Sequence, residues 1–125
     1  MRWDVVAFGE TMIRLAVPAG ERLETARQLE VGIGGAEANV LVALARLGRR
    51  TAWASVLPKQ ALGERIVREL AGHGVETSLV QWVEQGRVGV YYLDVGIPPR
   101  PTTVLYDRTG SAVAAVDPAS FPIDW

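Results

Sequence analysis

A chain of 125 residues, 49% hydrophobic and 22% charged, has the size and balance of one soluble globular domain. Thirteen Lys and Arg against fourteen Asp and Glu leave a net charge of −1, with neither sign clustered, which excludes an electrostatic footprint for nucleic acid or an anionic membrane. No cysteine and a single histidine, His73, exclude disulfides, thiolate metal centres and multi-histidine metal sites.

The N-terminal Met-Arg-Trp-Asp leads into an apolar run too short for a signal peptide or a membrane span, so a cytoplasmic location is expected. That run, Val5-Val6-Ala7-Phe8, reads as a buried strand stopping at Gly9-Glu10. Met12 to Val17, with the single charge of Arg14, gives a second strand closed by Pro18-Ala19-Gly20, and Leu29 to Ile33 alternates as a half-exposed third. Gly32-Ile33-Gly34-Gly35 breaks the pattern, and the period then changes. Val40, Leu44 and Leu47 fall on one stripe with Leu41 alongside, predicting a helix from about Ala36 to Leu47 with Gly48 as its left-handed cap.

Arg49-Arg50 makes a solvated corner before Thr51 to Leu57, a buried strand ended by Pro58. Leu62, Ile66 and Leu70, with Val67 beside them, predict a second helix ending at Gly72 or Gly74, with His73 at its C-terminus, followed by a short strand within Val75 to Val83. Strand, helix, strand, helix, strand implies a right-handed parallel α/β sheet. Val88 to Val95 and Thr102 to Tyr106 form a hairpin whose tip, Gly96-Ile97-Pro98-Pro99-Arg100-Pro101, the prolines keep out of the ladder. Appended to the βαβ unit, this hairpin implies a small β-sheet packed beside the main one.

Three places could carry chemistry. In Gly32-Ile33-Gly34-Gly35-Ala36-Glu37-Ala38-Asn39 the sixth position is Glu37, so a dinucleotide fingerprint fails, and no Gly-Lys-Ser/Thr exists for a phosphate loop. What remains is a glycine pair opening a helix, where backbone can approach a ligand and free N–H groups can donate to it. The same residues also make a plain strand-to-helix turn. In the hairpin, Tyr106 and Arg108 share a face, and symmetry about Pro98-Pro99 puts Tyr91 opposite Tyr106. Two phenols and a guanidinium could hold a polyol and clamp a carboxylate, or form an ordinary solvent-facing surface. Glu10 ends the first strand, where ligands bind in open α/β sheets, though solvated turn residues are common there.

Gly34-Gly35-Ala36-Glu37-Ala38-Asn39-Val40 followed by Ala43-Leu44-Ala45-Arg46-Leu47-Gly48 resembles the N-terminal signature of PfkB (ribokinase-type) carbohydrate kinases. Leu62-Gly63 and His73-Gly74-Val75-Glu76-Thr77 occur where that family has its next helix and strand. Tyr106-Asp107-Arg108-Thr109-Gly110-Ser111-Ala112 looks like the equivalent segment of 2-keto-3-deoxygluconate kinases, and Gly9-Glu10, where ribokinases usually have Gly-Asp, points the same way.

The resemblance implies a partial ribokinase-like fold: an α/β core over about residues 1–10 and 34–84, with lid strands over about 11–33 and 87–108. It implies that Gly34 and Gly35 line a sugar site, that Asn39 bonds substrate hydroxyls or holds the loop, and that Glu10 lies at the pocket floor. Tyr91, Tyr106 and Arg108 would be lid residues contacting a keto-sugar acid, and the lid would form a homodimer contact. Pro58-Lys59-Gln60 departs from the family's Gly-x-Asp near the sugar site, which bears on substrate identity. The family's catalytic Asp, in a Gly-Ala-Gly-Asp motif, and its ATP site lie in the C-terminal half. No such motif occurs before Phe121-Pro122-Ile123-Asp124-Trp125, so this chain is expected to hold no catalytic residue and to be inactive alone, with ATP and Mg2+ belonging to a full-length parent. The alternatives are a non-catalytic sugar-acid-binding or dimerisation module and a ribokinase- or fructokinase-like member. Cut here, the main sheet is expected to expose an edge and an apolar face and to self-associate.

Overall fold

The computed structural model describes residues 2–121, the side chain of Pro118 excepted; the closing Pro122-Ile123-Asp124-Trp125 lies outside the described residues. Within them the chain forms eight strands and two α-helices: β1 (Val5–Phe8), β2 (Met12–Ala16), β3 (Glu30–Gly34), α1 (Ala36–Arg46), β4 (Thr51–Pro58), α2 (Ala61–Gly72), β5 (Val75–Glu76), β6 (Val80–Val83), β7 (Val90–Asp94) and β8 (Thr103–Asp107). They make two sheets. In the first, β4 is central, paired in parallel with β1 on one side and with both β5 and β6 on the other. The second runs β3-β2-β7-β8, with antiparallel pairs β2–β3 and β7–β8 joined by a parallel β2–β7 pair.

Burial explains β4. All eight of its residues are buried, six of them apolar with Thr51 and Ser55 as the exceptions, so it shows no alternation between a buried and an exposed face. Trp53 and Leu57 face both helices, in a cluster with Leu41 of α1 and Ile66 and Leu70 of α2. Ala54 and Val56 face the other way, into a cluster with Phe121. Phe8, Ala112, Val113 and Val116 pack against that cluster, and the Phe8 and Phe121 rings meet edge-on at 5.2 Å. The second face of β4 is therefore covered, by a short 3-10 segment (Ala112–Ala115) and Phe121, rather than bare as expected.

Several elements differ from their sequence reading. The stripe of α1 is rotated: Ala38 and Leu41 are buried, whereas Val40 is 55% and Leu47 78% exposed. Short side chains at Ala38 and Ala45 let the helix sit close to the sheet, and that close contact outweighs the larger apolar residues beside it. On α2, Gly63 rather than Leu62 meets the sheet. A Cβ there would lie 2.5 Å from the Pro58 carbonyl oxygen, so the glycine permits the close approach. The single strand expected after α2 is split by a turn at residues 77–79 into β5 and β6, both on the same edge of β4. Strand β3 continues through Gly32 and Gly34 instead of breaking there. Gly48, at φ 85°, and His73 close the two helices as expected.

Candidate functional site

A cavity of about 550 Å³ lies between the second sheet, the start of α1 and the Glu10 loop, lined by Glu10, Met12, Gly35, Ala36, Glu37, Asn39, Tyr91, Val104, Tyr106 and Arg108. Six of the seven candidate residues are thus brought together from four separate segments, and the seventh, Gly34, lies beneath Tyr91. Other clefts exist. One, of about 330 Å³ beside Trp3 and Arg50, lies at the opposite end of the parallel strands and lacks a comparable convergence of polar groups.

Register builds the cavity wall. Tyr91 pairs with Tyr106, as the symmetry of the hairpin predicted, and their ring centroids are 5.9 Å apart. On the other side of β7, Tyr91 pairs with Arg14, which pairs in turn with Gly32. Two residues along, the row passes through Gly34 and Met12 and ends at Arg108, just beyond β8. The Arg108 guanidinium carbon stands 5.5 Å from the Tyr106 ring centroid, a cation–π distance. Just before it, Arg87 holds the end of β8 by an ion pair to the Asp107 carboxylate at 3.0 Å and by donating to its carbonyl at 2.9 Å.

Glycines supply the space for these side chains. A Cβ on Gly34 would overlap the Tyr91 hydroxyl, and one on Gly32 would lie 2.9 Å from the Arg14 guanidinium. The two glycines in β3 therefore act as slots for a phenol and a guanidinium. Gly89 does the same for Glu10, whose Oε2 would lie 2.6 Å from an added Cβ, and Gly9 does so for the Glu37 carboxylate. Gly35 has an extended backbone, and a Cβ on it would come 2.5 Å from the Glu10 carbonyl oxygen, so it brings α1 against the Glu10 loop. No side chain caps α1, and the residues of its first turn line the cavity.

Glu10 is 17% exposed; its Oε1 faces the Arg108 Nε at 3.6 Å, while Oε2 is buried without a hydrogen-bond partner. Burial raises the Tyr91 phenol above its usual pKa, opposed by the Arg14 guanidinium and reinforced by Tyr106, which keeps it a neutral hydroxyl able to donate and accept. The site offers one exposed guanidinium, two phenols, two carboxylates and an amide around a cleft open to solvent. That set suits a small anionic polyol. Among the described residues no group of three His, Cys, Asp or Glu could hold a metal ion.

Sequence reading assigned no role of its own to Glu37, which spoils a dinucleotide fingerprint and falls within the PfkB-like signature but was not among the candidate site residues. It also passed over Arg14 and the paired use of Gly9 and Gly89.

Comparison with known proteins decides the family. The model for "pfkB family carbohydrate kinase" matches residues 3–124. The chain belongs to the PfkB family of carbohydrate kinases. It is 51% identical over 124 residues to a 2-dehydro-3-deoxygalactonokinase of Haloferax volcanii, covering 99% of this chain and 39% of that one. Its fold superposes on the crystal structure of a 2-dehydro-3-deoxygluconokinase from Thermotoga maritima with a TM-score of 0.87 at 37% identity, over 93% of this chain and 35% of that one. A sugar kinase of Pyrococcus horikoshii solved in complex with ATP matches at a TM-score of 0.76 and 25% identity, over 85% of this chain and 34% of that one. The chain spans somewhat over a third of the length of these PfkB relatives. No described helix is long and apolar enough to cross a membrane.

Proposed function

We propose that this chain is the N-terminal, sugar-binding part of an ATP-dependent kinase that phosphorylates a sugar acid such as 2-keto-3-deoxygluconate. The observation that carries the reading is Arg108 lining a cavity whose other polar side chains are phenols, carboxylates and the Asn39 amide. A neutral polyol needs hydroxyl partners only. A guanidinium held over Tyr106, half-exposed and only loosely engaged by Glu10, suits a carboxylate, which it can take bidentately. Glu10, Gly34, Gly35, Asn39, Tyr91, Tyr106 and Arg108 are the residues assigned to the substrate. The names of the Haloferax and Thermotoga relatives, both kinases of 3-deoxy keto-sugar acids, support the same substrate class.

The nucleotide, its Mg2+ and the catalytic base are assigned to the remainder of a longer protein, so the 125 residues alone should show no turnover. Self-association through the small sheet belongs to this reading, because β8 is an edge strand exposed at all five positions. A single monomeric species in light scattering would contradict it.

The test is Arg108→Ala in the full-length kinase, assayed by ADP release. Loss of one charge-assisted contact should lower kcat/KM for sugar acids by about 10- to 100-fold and leave turnover of a neutral ketose such as fructose nearly unchanged. Equal losses on both substrate types would overturn the carboxylate assignment.

A further inference from the structure

We infer that Glu37 is a substrate-reading residue: its carboxylate accepts a hydrogen bond from a secondary hydroxyl of the sugar acid and so contributes to choice among hydroxyl patterns. The inference rests on the sugar-acid reading of the cavity and extends it to a residue outside the seven assigned there.

Glu37 lies in the first turn of α1 and lines the cavity together with Glu10, Asn39, Tyr91 and Arg108. Its carboxylate is seated against Gly9, at the end of β1, where any Cβ would collide with it. Two positions 28 apart in sequence are therefore fitted to one carboxylate group. An acid in a first helical turn is also favoured by the helix dipole, and that alone could account for a glutamate there. It does not account for the placement. A carboxylate serving only the dipole would be free to extend into water, whereas this one is lodged in a notch at the cavity wall.

No hydrogen bond or ion pair from the described residues engages the Glu37 oxygens, and Arg108 reaches toward Glu10 instead. An ionised carboxylate only accepts hydrogen bonds. Its complement in a site with Arg108 for the ligand's acid group is a hydroxyl donor. Buried Glu10 Oε2 is a second acceptor without a partner, so the cavity wall offers acceptors in excess of its own donors. A polyol chain supplies that deficit, and two carboxylates fixed on different elements would distinguish hydroxyl configurations better than one.

The experiment uses the full-length kinase with Glu37→Ala and Glu37→Gln, assayed on 2-keto-3-deoxygluconate, its 4-epimer and analogues lacking one secondary hydroxyl. Glu37→Ala should raise KM for the intact substrate by about 10- to 100-fold with kcat changed far less, and Glu37→Gln, which keeps an acceptor oxygen, should recover part of the loss. With the analogue that lacks the recognised hydroxyl, wild type and Glu37→Ala should have the same KM. A KM penalty equal on every analogue, or none at all, overturns the inference and leaves the sugar-acid reading intact. If the wild-type protein turns over no sugar acid, that reading falls and this inference with it. Thermal melts of both variants identify a penalty that comes from unfolding, which would count as a structural role and against the proposal.

Discussion

Strand β4 is buried at all eight positions, and strand β8 is exposed at all five. In β4 each side chain is chosen by what packs on it: Trp53 between two helices, Ala54 and Val56 under Phe121. In the small sheet, the choices at β3 make sense only through neighbours in other strands, since Gly32 and Gly34 are empty positions for Arg14 and Tyr91. The first region is built for stability and the second for presenting a polar face. Mutations should separate the two roles.

The largest effect belongs to the core. Trp53 is fully buried and its indole N–H donates to the Gly9 carbonyl at 3.1 Å, directly beneath the notch that holds Glu37. Trp53→Ala should cost about 3–5 kcal/mol in urea unfolding. Leu105→Ser on the exposed β8 should stay within about 0.5 kcal/mol by the same measurement. If the two losses were similar, the division between core and presenting sheet would fail.

Glycine substitutions sharpen the contrast. Gly34→Ala forces its methyl group against the Tyr91 hydroxyl, and should cost about 1–3 kcal/mol as well as weakening sugar-acid binding, because the phenol must move. Gly72→Ala ends α2 where nothing lies within 4 Å of the added carbon and φ is not positive, so it should stabilise by about 0.4–1 kcal/mol. Opposite signs in equilibrium unfolding are expected for the same chemical change. A stabilising Gly34→Ala would show that the slot is not occupied as described.

Much of this was legible in the sequence, for reasons that also mark where legibility stopped. The Tyr91–Tyr106 pair followed from strand parity and a proline-centred tip, both local properties. The parallel arrangement of β1, β4 and the strands after α2 followed from the alternation of elements. The buried stripe of α1 did not, because Val40 and Leu47 fit a helical period as well as Ala38 and Leu41 do, and only the approach of the sheet selects between them. Glu37 was illegible for a related reason. Its place depends on Gly9, and no local pattern links a glycine ending one strand to an acid opening a helix after two more strands.

A pH-dependent effect lies at the far end of the small sheet, and it tests whether that sheet has any anchor of its own. Asp94, 7% exposed at its side chain, accepts from Arg100 at 2.9 Å and from the Leu23 amide at 3.1 Å, while Arg100 also donates to the Glu21 carbonyl at 3.3 Å. The Arg100 hydrogen bond, then the Leu23 amide, hold the Asp94 carboxyl below the usual carboxylate range, against the opposing effect of burial. With a folded-state pKa below the unfolded one, the native state binds fewer protons in acid, so stability is fully present above the usual carboxylate pKa and is lost as pH falls through the depressed value. Asp4, lowered by the Arg50 backbone and side chain, contributes in the same direction from the first sheet. Asp94→Asn should therefore lower stability at neutral pH and flatten part of the acid limb, so that mutant and wild type converge as the pH drops, with the Asp4 component remaining in both. Urea unfolding as a function of pH reads this directly. Parallel curves would mean that the Asp94–Arg100 pair contributes nothing that titrates, and that the two loops it ties, before β3 and after β7, are held by the sheet alone.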